Sequence, residues 1–262
     1  MKGIAHKSNF IVVSIMVSLF LIHLPIVFAA PNSSKTKADI SSSLNSSFNS
    51  NADISNTALM FGVYDSLQLE QKGLTKKVFE YALRGFNKIR QSGVLENQNI
   101  ISIADFSQSS SSKRLFIIDV LNRKLLFNTY VAHGMRSGKE FATMFSNKMS
   151  SNRSSLGFYK TAATYNGENG YSLRLIGLEK GFNDNAYKRD IVMHPADYVN
   201  ENFISSRGWI GRSWGCPAVP RSLSKPIIDQ IKNGSCLFIF ASDKNYIKRS
   251  SMLKEMPDVA MK

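Results

Sequence analysis

The side chains best suited to covalent chemistry lie in a short stretch around Cys216. Residues 208–215 before it are rich in glycine and tryptophan, and a proline follows at Pro217, so a loop is predicted here. A cysteine nucleophile needs a base within hydrogen-bonding distance and backbone N–H groups that stabilise the developing oxyanion. Gly215 would let the backbone approach a substrate closely. The stretch is a candidate site for acyl transfer.

The base that this chemistry requires has few candidates, because the chain contains four histidines. Two of them lie within the first 30 residues. His194 ends the apolar run 191–193, a predicted strand that would deliver it to a sheet edge. The alternative is a satisfied histidine that caps the strand. His133, placed before a glycine-containing loop, is a candidate for substrate contact at the rim of the site.

Two other kinds of site do not fit. Residues 211–215 match the G-x-S-x-G pattern, in which Ser213 would be the nucleophile, but in that fold the histidine follows the serine. No histidine follows Ser213 in this chain. No Cys-x-x-Cys or His-Glu-x-x-His spacing is present either, so we expect neither a serine hydrolase of that type nor a metal site.

The second cysteine, Cys236, leaves an alternative open for Cys216. Exported proteins with two cysteines usually pair them, and a bridge closing a loop of this size would contribute about 3 kcal/mol. The opposite reading makes Cys216 a free thiol and Cys236, inside the apolar run 236–240, an ordinary buried one.

The N-terminus predicts export. Two lysines precede an uncharged run at 10–28, and Ala29 follows, which is the order of a secretory signal peptide over residues 1–29. An uncleaved anchor is the alternative, because the run approaches the ~20 residues that span a bilayer. Residues 30–57, rich in serine and asparagine, predict a flexible leader. We expect a periplasmic protein with no stable membrane insertion after cleavage, and no nucleic acid as partner.

Composition limits the class of protein. The 262 residues are 43% hydrophobic and 20% charged, which is typical of a globular chain and excludes collagen-like, coiled-coil and polar-tail proteins. Lys and Arg number 33 against 19 Asp and Glu, a formal net charge of +14. Such an excess favours an anionic partner.

Hydrophobic periodicity predicts a mainly β fold with flanking helices (α+β). Between residues 58 and 95 the apolar residues recur at helical spacing, which predicts two amphipathic helices broken near Gly73. Residues 96–245 contain runs typical of strands, and residues 246–262 are read as a C-terminal tail. The predicted strands are 100–104, 114–120, 125–132, 171–178, 190–194 and 236–242, with a short helix at 222–232.

These residues resemble a known family, the L,D-transpeptidases of peptidoglycan with a YkuD-type catalytic domain, and in particular its murein branch. The resemblance rests on the Ser-x-Gly-Cys block at 213–216, on Arg-Asp-Ile-Val-Met-His at 189–194, and on the stretch 171–179. It covers residues 114–242.

The resemblance implies a β-sandwich catalytic domain preceded by the helical segment. It also implies that Cys216 is the nucleophile and His194 its general base. The Pro195 carbonyl would orient the imidazole, the Gly215 and Cys216 N–H groups would help form the oxyanion hole, and Ser213 would belong to the catalytic block. With the resemblance in view, we expect two free thiols rather than a disulfide.

The sequence departs from the pattern beside the nucleophile. The best-known members read Ser-His-Gly-Cys, whereas Trp214 stands in place of that histidine. Since the base lies upstream, the departure bears on site architecture and substrate preference more than on the reaction. Arg212 and Arg174 are candidates to bind a substrate carboxylate. Trp214, His133 and Tyr171 complete the predicted substrate contacts.

The implied substrates are peptidoglycan stem peptides. Cys216 would attack the carbonyl between the third residue, a diamino acid, and the terminal D-alanine of a tetrapeptide. The thioester would be resolved by an amine, giving a cross-link, or by water, giving L,D-carboxypeptidase action. No metal or organic cofactor is expected, and we expect a monomer. The alternatives are a non-catalytic peptidoglycan-binding envelope protein and a thiol hydrolase of other envelope amides.

Overall fold

The computed structural model describes residues 62–254. The predicted signal peptide (1–29) and leader (30–57) lie outside these residues, and the boundaries at residues 95 and 245 stay predictions. Within the described part, no helix has both the length and the apolar character needed to cross a membrane.

One eight-stranded sheet dominates the described residues, with helices packed around it. The mainly β fold with flanking helices is thereby confirmed. The strands are β1 (Ile100–Asp105), β2 (Leu115–Asp119), β3 (Lys124–Thr129), β4 (Gly157–Gly167), β5 (Gly170–Gly177), β6 (Val192–Ala196), β7 (Ala218–Pro220) and β8 (Cys236–Phe240). The helices are α1 (Lys76–Gln91), α2 (Glu201–Arg207), α3 (Arg221–Ile231) and α4 (Lys244–Arg249), and residues 62–66 are also helical.

The sheet nearly closes on itself. Its order is β3-β2-β1-β8-β4-β5-β6-β7, with β1–β8 and β6–β7 parallel and the other neighbours antiparallel. Strands β3 and β7 are the two edges of the sheet. The segment that follows β3 pairs with β7 and with the segment before it, through isolated bridges that join Ala132 to Ala218 and Gly134 to Ser213. The loop after β3 therefore lies beside the segment that contains Cys216.

Helix α1 forms because its apolar residues recur every three or four positions and Thr75 caps its first turn, accepting a hydrogen bond from the Val78 N–H at 3.4 Å. The predicted apolar stripe is confirmed as its buried face. Gly85 on that face allows Phe158 to approach, and Phe158 stacks on Phe238 with ring centroids 4.1 Å apart. The buried residues of the stripe are Val78, Phe79, Ala82, Leu83, Phe86 and Ile89.

Some elements differ from the sequence-based expectation. Strand β4 was not expected, because much of it is polar or exposed and no long apolar run marks it. Strand β6 begins at Val192 rather than at Asp190, because the φ of 51° at Asp190 lies outside the extended region that a strand requires. Strand β3 ends at Thr129, before the predicted end at residue 132.

Candidate active site

His194 and Cys216 are brought together by the parallel pair β6–β7. His194 lies on β6 opposite Ala218 of β7, and its N–H donates to the Pro217 carbonyl at 3.3 Å. Cys216 precedes β7 by two residues, so it lies at the entry of the strand next to the one that carries the histidine. Sheet pairing therefore fixes the backbone relation of the two side chains.

The His194 ring has a defined orientation. Its Nδ1 lies 2.9 Å from the Pro195 carbonyl oxygen. Because a carbonyl only accepts, Nδ1 carries the proton in this hydrogen bond, and Nε2 is left with a free lone pair. Burial lowers the pKa of the ring, the Pro195 hydrogen bond opposes this, and the charge of Arg221 lowers the pKa further. The imidazole is thus a neutral base near neutral pH.

The Cys216 thiol is protonated and held at the start of β6. It donates to the Asp190 carbonyl at 3.6 Å and accepts from the Val192 N–H at 3.5 Å. Burial raises its pKa, whereas the Val192 N–H and the Arg189 charge oppose the rise. Among residues 62–254 no hydrogen bond joins the thiol to the His194 ring. Contacts of this kind often tighten only when substrate binds.

Both cysteines are free thiols. Cys236 lies on β8, fully buried, and burial raises its pKa far above the usual range. Only Cys216 therefore has a position from which it can react.

The loop before the nucleophile is braced by Ser213. Its hydroxyl donates to the Cys216 carbonyl at 2.6 Å and accepts from the Gly215 N–H at 3.1 Å. Gly215 has a φ of 131°, and a Cβ there would lie 3.0 Å from the Arg153 carbonyl oxygen. The backbone conformation and the close approach both require glycine at this position.

The two N–H groups that the resemblance assigned to the oxyanion hole differ in the structure. The Gly215 N–H already donates to Ser213, whereas the Cys216 N–H has no hydrogen-bond partner among the described residues. The Trp214 N–H is likewise unpartnered in that part of the chain. Of the two N–H groups that the resemblance names, that of Cys216 is the one left without a partner in the described residues.

The loop after β3 is fastened to the cysteine loop. The Ser213 N–H donates to the His133 carbonyl at 3.0 Å, and the Met135 N–H donates to the Ser213 carbonyl at 2.7 Å. Arg212 adds hydrogen bonds from its guanidinium to the carbonyls of Met135 at 3.1 Å and Gly138 at 2.9 Å. Arg212 therefore links the two loops, and only part of its guanidinium is left for a substrate.

His133 does not lie at the rim. It is fully buried, and its Nδ1 accepts from the Arg114 guanidinium at 2.8 Å. Burial first, and the Arg114 charge second, lower its pKa to about 3. The predicted substrate contact does not fit this position, because a side chain with no exposed surface cannot touch a ligand. His133 instead supports the loop after β3 through its hydrogen bond with Arg114.

Arg114 was missed by the sequence reasoning, because it stands at the start of an apolar run where a single arginine looks like a strand end. It is fully buried and donates from Nε and Nη2 to the Val131 carbonyl at 3.1 and 2.9 Å. Burial lowers its pKa to about 9. A charged residue inside a predicted strand was the one signal that could have found it.

Arg174 lies close to the nucleophile. It pairs in register with Val192, whose N–H bonds the thiol, and its guanidinium lies 3.7 Å from the Asp190 carboxylate. The rings of Tyr165 and Tyr187 flank it at 4.5 and 5.7 Å. The guanidinium is half-exposed and stacked, an arrangement that suits binding of a carboxylate.

Trp214 and Tyr171 have different surroundings. Trp214 is 78% exposed directly beside the nucleophile loop, a position open to substrate. The Tyr171 hydroxyl donates to the Asp229 carboxylate at 2.8 Å and so ties β5 to α3. Tyr171 thus has a structural hydrogen-bond partner, whereas the exposed Trp214 side chain is not part of the hydrophobic core.

Arg189 belongs to the motif at 189–194 but was given no role from the sequence. Its guanidinium donates to the carbonyls of Ser146 and Arg153, both at 2.7 Å, and to the Ser151 hydroxyl at 3.1 Å. Burial raises the pKa of the Cys216 thiol, and the Arg189 charge opposes part of that rise. Arg189 therefore holds the loop before β4 and acts on the Cys216 thiol electrostatically. Within residues 62–254 no three metal-ligating side chains lie together.

The sequence matches a known protein family. The family model for the L,D-transpeptidase catalytic domain matches residues 70–240. No curated protein matches the chain.

Solved structures show weak similarity. An L,D-transpeptidase from Mycobacterium smegmatis is 12% identical, with 55% of this chain and 59% of that chain covered and a TM-score of 0.34. One from Stackebrandtia nassauensis is 17% identical over 65% and 69%, with a TM-score of 0.33. The helical cell shape determining protein Pgp2 from Campylobacter jejuni is 12% identical over 65% and 58%, with a TM-score of 0.36. The chain thus spans 59% of the length of the Mycobacterium smegmatis structure.

Proposed function

Because the chain belongs to the L,D-transpeptidase catalytic-domain family, we propose that it is an active, cysteine-dependent peptidoglycan L,D-transpeptidase. The observation that carries the proposal is the His194 ring, oriented by the Pro195 carbonyl on the strand that pairs with the one following Cys216. Nucleophilic acyl transfer requires a base and a thiol, and this arrangement supplies a neutral base on the strand next to the one that follows the free thiol.

The first step is acylation of the enzyme. His194 Nε2 takes the thiol proton as Cys216 Sγ bonds to the carbonyl carbon of the third stem residue. The Cys216 N–H stabilises the negative oxygen that forms. The C–N bond to the terminal D-alanine then breaks, and the leaving amine takes the proton from His194. The enzyme is left as a thioester.

The second step resolves the thioester. An amine of another stem attacks the same carbonyl carbon, gives its proton to His194 and releases the Cys216 thiolate, which recovers that proton. The product is a cross-link between two third residues. Water as the attacking group gives the tripeptide instead, which is L,D-carboxypeptidase action.

Substrate binding is assigned to the exposed side chains around the nucleophile. Arg174 binds a carboxylate of the stem, Arg212 contributes its unused donors, and Trp214 covers the apolar part of the peptide. The proposal includes export by the signal at residues 1–29 and action as a monomer in the periplasm.

The test is incubation of purified protein with disaccharide tetrapeptide, followed by product masses. Wild type should release D-alanine and form a dimeric cross-linked product. Cys216→Ala should do neither, and Cys236→Ala is the matched control that keeps both, since its thiol is buried on β8. D-alanine release without dimer would identify a carboxypeptidase.

Two results would contradict the proposal. One is release of D-alanine by Cys216→Ala at the wild-type rate. The other is absence of product from folded wild type with a free thiol. In that case, binding to cell-wall sacculi that survives Cys216→Ala would identify a non-catalytic peptidoglycan-binding protein.

A further inference from the structure

A buried serine from another loop contacts the backbone next to the nucleophile. Ser154 precedes β4 and is fully buried. Its hydroxyl lies 3.0 Å from the Gly134 nitrogen and 3.0 Å from the Gly215 carbonyl oxygen. Its own N–H donates to the Ser137 hydroxyl at 2.9 Å. The side chain thus joins the loop after β3 to the cysteine loop.

The direction of both hydrogen bonds of this hydroxyl is determined. The Gly134 N–H can only donate, and the Gly215 carbonyl can only accept. The hydroxyl proton of Ser154 therefore points at the Gly215 oxygen, and one lone pair receives the Gly134 N–H.

The Gly215 carbonyl belongs to the same peptide unit as the Cys216 N–H. A trans peptide unit is planar, and its C=O and N–H point in opposite directions. Holding the Gly215 oxygen against Ser154 therefore turns the Cys216 N–H away from Ser154. That N–H has no partner among residues 62–254.

The backbone around the Ser154 hydroxyl is closely packed. A Cβ on Gly134 would lie 2.7 Å from the Asn152 carbonyl oxygen, 2.9 Å from the Gly215 Cα and 2.9 Å from the Ser154 nitrogen. The three loops thus pack backbone against backbone, and Ser154 supplies the hydrogen bond that sets the 215–216 peptide plane.

We propose that Ser154 is a positioning residue, which orients the Cys216 N–H as the oxyanion donor of the acylation step. The inference rests on the proposed function in one respect, that Cys216 is an acyl nucleophile. It adds a residue outside the 213–216 block, one that affects the reaction rate only when a tetrahedral oxyanion forms.

The test compares two reactions of the same thiol. In acylation by p-nitrophenyl acetate, the thiol gives its proton to His194 and Sγ bonds to the acetyl carbon. An oxyanion forms on the way, the C–O bond breaks and p-nitrophenolate leaves. In alkylation by iodoacetamide, the thiol gives up its proton in the same way and Sγ displaces iodide from a saturated carbon, and no oxyanion forms. The rate that depends on Cys216 is obtained by subtracting the rate of Cys216→Ala.

Ser154→Ala should acylate at least about tenfold more slowly than wild type, since loss of an oxyanion donor costs 10²–10³ and a misaligned one somewhat less. Its alkylation rate should stay within about twofold. Ser102→Ala is the matched control, because Ser102 is also fully buried but its hydroxyl has no partner among the described residues. It should leave both rates unchanged.

Ser154→Thr keeps a hydroxyl at the same place and should restore acylation; it is also the variant to use if the alanine variant does not fold. Unchanged acylation in Ser154→Ala, or a parallel fall in both rates, would overturn the proposal. So would a threonine variant that alkylates normally but acylates as slowly as alanine. Since the ester contains no stem peptide, failure of the protein on disaccharide tetrapeptide is a separate result.

Discussion

At the scale of residues, burial sets the protonation states of Cys216 and His194. It raises the pKa of Cys216 and lowers that of His194, so both are neutral near pH 7. An ion pair of thiolate and imidazolium would need the opposite shifts. In the proposed mechanism, His194 therefore takes the Cys216 proton during attack rather than beforehand.

The acidic limb of kcat/KM should report His194 in the free enzyme. Protonation abolishes the base, and because the pKa lies below its ordinary 6.5, wild type should retain most activity at pH 6.5. Arg221→Gln removes a charge that lowers this pKa, so the limb should move to higher pH. A pH profile from about 4.5 to 8 measures this, with Arg249→Gln on α4 as control. A limb that stays in place or moves to lower pH would contradict the assignment.

His133 and Trp214 should give opposite results. His133→Ala removes the Nδ1 that accepts from the buried Arg114 guanidinium, although Arg114 keeps its hydrogen bonds to the Val131 carbonyl. The free energy of unfolding should therefore fall by about 1–3 kcal/mol, with KM unchanged in the folded protein. Trp214→Ala should leave stability unchanged, because the side chain is 78% exposed. Its KM should rise about threefold to tenfold, the value of one aromatic contact.

Denaturant unfolding and steady-state kinetics on the two variants make this comparison. A raised KM together with unchanged stability in His133→Ala would mean that His133 contacts the substrate, which would contradict its burial.

At the scale of elements, α1 and the sheet depend on close packing at one glycine. A Cβ on Gly85 would lie 2.1 Å from the Phe158 ring, which is itself fixed by stacking on Phe238. The ring has no room to withdraw, since Phe158 is fully buried. The helix therefore approaches the sheet only because this position lacks a side chain.

Gly85→Ala should destabilise the protein, although alanine favours helix by about 1 kcal/mol over glycine in an open site. The overpacked ring should reverse the sign and lower the free energy of unfolding by about 1–3 kcal/mol. Gly62→Ala is the matched control, because nothing lies within 4 Å of its added Cβ. Denaturant midpoints decide the matter, and a stabilised Gly85→Ala would show that the helix does not pack as described.

The elements with a strong local pattern could be predicted from the sequence. The buried stripe of α1 and the strands β1, β2 and β8 are marked by apolar runs of the right period. Strand β4 could not be, because much of it is polar or exposed and its pairing with β8 joins segments that are far apart in sequence. The Ser154 hydrogen bonds have the same origin, since they join loops that are remote in sequence.

The candidate site could likewise be predicted only in part from the sequence. Cys216 and His194 could be found because their types and context limit the chemistry. The burial of His133 could not, because it depends on Arg114, a charged residue whose place in the core follows from the closure of the sheet.

At the scale of the whole molecule, two features bear on function. The near-closure of the sheet places the loop after β3 against the cysteine loop, so the site is built from both sheet edges. The net charge is +14 over the full sequence, and basic residues stay in excess without Lys2 and Lys7 of the predicted signal, an excess that favours an anionic partner.

Binding to intact sacculi should therefore weaken with salt, by severalfold between roughly 50 and 300 mM, as screening shortens the range of the field. Turnover of soluble disaccharide tetrapeptide should change less, because it depends on contacts at the site. Sedimentation of the Cys216→Ala protein with sacculi measures the first without turnover. Binding that does not respond to salt would mean that the basic surface has no part in it.

The most direct measurement of the central claim is the intact mass of the protein during turnover of disaccharide tetrapeptide, quenched in acid and followed by peptide mapping. We predict an added acyl group equal to the substrate without its D-alanine, attached to Cys216 and absent from Cys216→Ala. An adduct on another residue, or product formation with no acyl-enzyme at any time of quenching, would contradict it.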